Sequence, residues 1–99
     1  MYRVLETKYF SNWLKKLKDT QGKVAILRRI KRVQKGNFGD FKYLQGNIYE
    51  LRIKSGPGYR VYYTKQEKQI VLLLIGGNKS TQERDIQKAK AILKELENG

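Results

Sequence analysis

Glu50, Arg52, Arg60 and Lys79 are the side chains whose types and spacing can do chemistry together in this chain. Asn47 to Lys54 reads as a strand, and its period of two puts Glu50, Arg52 and Lys54 on one face and Tyr49, Leu51 and Ile53 on the other. Ser55-Gly56-Pro57-Gly58 is a turn, since Pro presets φ and glycine tolerates positive φ, so Tyr59 to Lys65 returns beside the first strand. Arg60, Tyr62 and Thr64 then share a face, and an antiparallel pair brings Arg52 and Arg60 to the same side. Guanidinium groups bind phosphate oxygens in a planar, bidentate way and stay charged, which suits them to a phosphorane-like transition state rather than to proton transfer. Glu50 offers a carboxylate for a ribose 2′-hydroxyl, or a diagonal cross-strand ion pair with Arg60. Lys79 follows Gly76-Gly77-Asn78 and precedes a helix start, where backbone amides and the helix dipole also favour an anion; an ordinary loop lysine is the alternative.

The chain has no histidine and no cysteine. A His-paired ribonuclease site, a Ser-His-Asp triad, a usual zinc site, thiol catalysis and disulfides are therefore excluded. Metal-dependent phosphodiester cleavage would need converging carboxylates, and Asp40, Glu50 and Asp85 come from three separate segments. Metal-free RNA cleavage needs less: a group that activates or positions the 2′-hydroxyl, cations for the transition state, and help for the leaving 5′-oxygen. No metal or cofactor is expected. Tyr62 either stacks on an unpaired base or packs across strands, and Gln82 either hydrogen-bonds a base or faces solvent. Lys42 and Lys54 add positive charge for RNA beside these groups.

These residues must be carried by a sheet and its supports. Met1 to Glu6 reads as an edge strand. Phe10, Trp13, Leu14 and Leu17 recur at helical spacing in a helix ending near Asp19 to Gly22, with Trp13 assigned to the core. A second helix from about Lys23 to Gln34 has Ile26, Leu27, Ile30 and Val33 on its apolar side, surrounded by Arg28, Arg29, Lys31 and Arg32. Gly36-Asn37-Phe38-Gly39-Asp40 breaks that helix and leads to Phe41, Tyr43 and Leu44, assigned to the first central strand. Ile70 to Ile75, without a polar interruption, reads as a strand buried on both faces. Ser80-Thr81-Gln82-Glu83 has capping-box spacing, and Ile86, Ala89, Leu93 and Leu96 form the stripe of a last helix. The expected order is β-α-α-β-β-β-α, an α+β fold with a small antiparallel sheet, two N-terminal helices and a C-terminal helix, all in one domain over residues 1–99.

Charge narrows the partners. Twenty-two Lys and Arg against nine Asp and Glu give a net +13, which calls for a polyanionic or acidic partner. Residues 1–36 hold eleven basic and two acidic side chains, and residues 37–99 hold eleven and seven, so the excess is concentrated in the N-terminal helical region. A solvated charged face is the bland alternative. The longest apolar run is too short to span a bilayer, MYRVLETKYF has no signal-peptide core, and the apolar stripes are explained as faces that cover the sheet, so a soluble cytoplasmic protein without a membrane partner is expected.

GNIYELRIKSGPGYRVYY followed by IVLLLIGGNKSTQERDI resembles the HigB-like addiction module killer group of the RelE/ParE toxin superfamily, and the resemblance extends from Trp13 through LRRIKRVQKGNFGD to the last helix. It implies a toxin of a type II toxin-antitoxin system with endoribonuclease activity on translated messenger RNA, hence translation inhibition. It also implies a cognate antitoxin, helix-turn-helix and HigA-like. Arg52 and Arg60 match basic strand positions of RelE-type ribonucleases, and Lys79 lies near another basic position. Glu50 departs from the pattern, where RelE has a lysine. For a ribosome-dependent nuclease, the basic N-terminal region is expected to contact RNA, ribosomal RNA in particular, through Arg28, Arg29 and Arg32. The superfamily also contains ParE-like toxins that bind DNA gyrase without catalysis, and fold alone does not choose between the two.

Overall fold

Ile70–Asn78 forms the centre of the fold, because six consecutive apolar residues can only be accommodated where both faces of a strand are covered. The structure is a computed structural model that describes residues 1–98. Strand β1 (Arg3–Glu6) is followed by helices α1 (Lys8–Lys16) and α2 (Thr20–Gln34), then β2 (Phe41–Gln45), β3 (Ile48–Ile53), β4 (Tyr59–Gln66), β5 (Ile70–Asn78), a single 3-10 turn (Lys79–Thr81) and α3 (Gln82–Asn98). The five strands form one sheet in the order β1-β5-β4-β3-β2.

Alternation along β5 divides the core in two. Val71 and Leu73 join Leu51, Ile53, Val61 and Tyr63 beneath Phe10 of α1 and Ile26, Ile30 and Val33 of α2. Leu72 and Leu74 join Ile48 and Tyr62 beneath Ala89 and Ile92 of α3. The sheet is thus covered on both faces, and the face that carries Glu50 packs Ile48, Tyr62, Leu72 and Leu74 beneath α3 and presents Arg52 and Arg60 toward the β3–β4 turn.

The α+β class holds, with three differences from the expected arrangement. Four strands follow α2 rather than three, because a two-residue turn at Gly46 and Asn47, with Gly46 at φ 54°, separates β2 from β3. Strand β2 consequently lies at the sheet edge and not at its centre. The sheet is mixed: β2 to β5 are antiparallel, but β1 pairs in parallel with β5, since α1 and α2 carry the chain across one face to the opposite edge.

Helix ends differ too, and caps explain them. Thr7 caps α1, accepting from the Phe10 amide, and α1 stops at Lys16. Asp19 is the N-cap of α2, accepting from the Gly22 amide at 3.0 Å, so α2 begins before the expected Lys23. Asn78, not Ser80, caps the last helical segment through a reciprocal box with Thr81. Leu27 and Leu96 lie outside the apolar stripes at 47 and 44% exposure, and Ile92 takes the place expected of Leu96. Trp13 is packed against the core, its ring lying where a side chain on Gly76 would have to be. No helix is long and apolar enough to cross a membrane among the described residues.

Candidate active site

Strand register sets the site. Arg52 stands directly opposite Arg60 across β3 and β4, and Arg60 stands opposite Gly77 of β5. Two like charges in cross-strand register repel. Glu50, one pleat repeat before Arg52 on the same face, resolves this: its Oε1 accepts from Arg52 Nε at 3.1 Å and from Arg60 Nη1 at 3.3 Å. Its Oε2 accepts from Gln82 Nε2 of α3 at 2.7 Å. The diagonal Arg60–Glu50 ion pair therefore exists, and one carboxylate holds both guanidinium groups.

Glu50 is completely enclosed, at 0% exposure, with both oxygens engaged by these donors. No part of the carboxylate is open to a substrate hydroxyl, so the geometry gives Glu50 the role of positioning Arg52 and Arg60. Gln82 is partly exposed, and its amide ties the start of α3 to the sheet. Tyr62, at 0% exposure beneath α3, has the packing role and is not available to stack on a base. Burial, and then the nearby Glu50 carboxylate, push its phenol pKa up, so it stays neutral.

The arginine pair opens onto a groove of about 660 Å³, lined by Arg52, Lys54, Arg60, Lys79, Asp40 and the Ser55–Gly58 turn. Lys79 is exposed at its rim, and its backbone amide donates to Gly58 O at 2.8 Å, pinning the turn to the end of β5. The anion site expected from free amides at this helix start is already filled: Asn78 Oδ1 accepts from the Ser80 amide at 2.9 Å and from Ser80 Oγ at 2.6 Å. Lys79 brings its ammonium group alone. Gly77 leaves room beside Arg60 for the buried Asp85 carboxylate, which accepts from Thr81 Oγ1; a Cβ on Gly77 would overlap it.

A second groove of about 470 Å³ is lined by Arg28, Arg29 and Arg32 of α2 together with Arg52, Lys54 and Asp40. Lys42 lies outside both, exposed on β2 in register with Glu50 but not bonded to it. No group of three carboxylates converges among the described residues.

Asp85, Thr81, Asn78 and Asp19 were not singled out for the site by sequence. Asp19 Oδ2 accepts from Tyr59 Oη at 2.8 Å and faces Gly56, linking the start of α2 to the turn that walls the groove. The only local sign of it is the spacing of Asp19 from Gly22, which fits an N-cap as well as a helix end.

A basic α+β protein with two arginines anchored on a concave sheet end is the class that this arrangement defines. Comparison with known sequences agrees: residues 12–97 match the family described as Phage derived protein Gp49-like (DUF891). The chain belongs to that family, which is associated with toxin-antitoxin systems and related to RelE/HigB-type toxins. It is also similar to a Haemophilus influenzae protein described only as uncharacterized, 50% identical over 94 residues that span 95% of each chain.

Proposed function

We propose that this protein is the toxin of a type II toxin-antitoxin pair, HigB-like in kind, and a metal-independent endoribonuclease that cuts messenger RNA on the ribosome in the cytoplasm. The observation that carries the reading is the Arg52–Arg60 pair, held by one enclosed carboxylate at the mouth of a groove that Lys79 borders. In the proposed reaction the 2′-oxygen attacks the adjacent phosphorus, the 5′-oxygen leaves, and a 2′,3′-cyclic phosphate forms. Arg60 and Arg52 bind the non-bridging oxygens as negative charge grows on them, and Lys79 stabilises the leaving 5′-oxygen, which takes up a proton from solvent to become a hydroxyl. With Glu50 enclosed, catalysis rests on holding the 2′-hydroxyl in line, its proton passing to solvent in the open groove. Lys42 and Lys54 hold flanking phosphates.

Primer extension of a translated message after expression of the protein tests this reading. Cuts in codon register are expected. Intact messages accompanied by DNA damage would select a gyrase-binding, ParE-like toxin instead.

A further inference from the structure

The two grooves are continuous, since Asp40, Arg52, Ile53 and Lys54 line both. One wraps from the arginine pair to Lys79; the other passes over β3 to α2. Arg28, Arg29 and Arg32 converge there although like charges repel, and none of the three pairs with a carboxylate among the described residues. Arg29 is laid against the loop before β2, its guanidinium over Gly39 and its Nη1 donating to the Asp40 carbonyl at 3.3 Å. Partial burial, and then the neighbouring Arg32, push the Arg29 pKa down against the pull of Asp40, so an external anion beside Arg29 would favour its charged form. Arg28 and Arg32 flank it with exposed side chains. Asp40 is the acidic side chain on the path, at the junction of the two grooves.

We infer that the α2 groove is a subsite for single-stranded RNA, taking the phosphates of nucleotides that flank the one held at Arg52 and Arg60. The inference rests on the proposed function for what fills the first groove. A strand leaving Arg60 can follow Lys54 and Arg52 around the end of β3, past Ile53 and Ala25, to Arg28 and Arg32. Phosphate is the chemistry that fits, because the groove offers three guanidinium groups and no aromatic side chain on which a base could stack, so it recognises backbone rather than sequence.

The test uses fully 2′-O-methylated oligoribonucleotides of three and nine nucleotides, which lack the attacking hydroxyl, titrated into the whole protein between 50 and 200 mM salt. Each single-strand phosphate contact adds about 0.7 to the slope of log K against log salt. The nine-mer should be steeper than the three-mer by roughly 1.4 to 2.1, for two or three added contacts. Amide resonances of residues 28–32 should shift with the nine-mer alone. The double variant Arg28→Ala with Arg32→Ala should lower the nine-mer slope by about 1.4 and leave the three-mer unchanged. Lys90→Ala with Lys94→Ala, on α3, removes the same charge and should do neither. Asp40→Asn should tighten nine-mer binding.

Equal slopes for the two lengths, equal loss from the α2 and α3 doubles, or indifference to Asp40→Asn would each overturn the subsite and leave only the general field of a +13 protein. Failure of the nuclease reading looks different. Codon-register cleavage with an unaltered slope in the α2 variant retains the nuclease and removes the subsite, whereas α2-dependent slopes without cleavage do the reverse.

Discussion

At the scale of single residues, Arg60 is an ion-pair partner of Glu50 and, under the proposed function, also a catalytic cation, so its variants are pulled in different directions. Its side chain is 14% exposed and it is one of two cations on an enclosed carboxylate, so it is not the solvent-facing strand arginine that alternation alone suggests. Arg60→Ala should reduce cleavage on programmed ribosomes by about 100-fold or more, the scale of losing one preorganised donor to a developing charge. It should also lower stability by roughly 1.5–3 kcal/mol, the worth of a hydrogen bond to a charged group. Arg60→Lys keeps a cation beside Glu50 but loses the planar fork, and should recover most of the melting temperature and little of the cleavage. Undiminished cleavage by folded Arg60→Ala would remove it from the mechanism. Glu50→Gln separates positioning from proton transfer: the rate should fall while the shape of the pH–rate curve stays unchanged, whereas loss of a general base changes that shape. The cross-strand register of Arg52 and Arg60 was legible in the sequence because a period of two and a short turn determine it. The enclosure of Glu50 and Tyr62 was not, since it depends on where α3 lands, and no local pattern in β3 or β4 encodes that.

At the scale of elements, the groove is shaped by caps and by the central strand. Leu73→Ala should lower stability by about 2–5 kcal/mol, since β5 lies between β1 and β4 with Leu73 in the core under α1 and α2, and activity should fall only as far as folding does. Asp19 supplies a pH dependence whose sign follows from its partners. The Gly22 amide, and then the Tyr59 hydroxyl, hold its carboxyl below the usual carboxylate range. The stability it contributes is therefore present above its unfolded pKa of about 3.9 and is lost as pH falls through the lower folded value. Asp19→Asn keeps a good cap without a titrating group, so its melting temperature should decline less than wild type's between pH 5 and 2. An identical decline in both would show that the Asp19 contacts do not matter to folding. Elements with strong periodicity, such as β5 and the Ile26-Ile30-Val33 face of α2, were readable from sequence. Their ends were less so, because Asp19 and Asn78 act through single hydrogen bonds that compete with other candidate caps nearby. The parallel pairing of β1 was hidden as well, since a four-residue strand carries no sign of its direction.

At the scale of the whole molecule, charge decides what the protein can be left to touch. A +13 chain with an open basic groove attracts polyanions, and under the proposed function a cell that makes it needs that surface covered. The family is one associated with toxin-antitoxin systems. A dedicated antitoxin, acidic where it meets the face around Arg52 and Arg60 and encoded beside this gene, is the expected partner, and a helix-turn-helix DNA binder fits its HigA-like kind. Two copies of this chain repel, so an oppositely charged partner is favoured over self-association. Co-expression with the neighbouring reading frame should abolish growth arrest, and the two chains should purify together. Their association should be fast at low salt and slow steeply as ionic strength rises, because steering acts over a Debye length that shrinks from about 30 Å at 0.01 M to about 10 Å at 0.1 M. Arrest that persists, with no complex to purify, would sink the idea. A complex whose association rate ignores salt would place the antitoxin away from the basic face and leave the groove open.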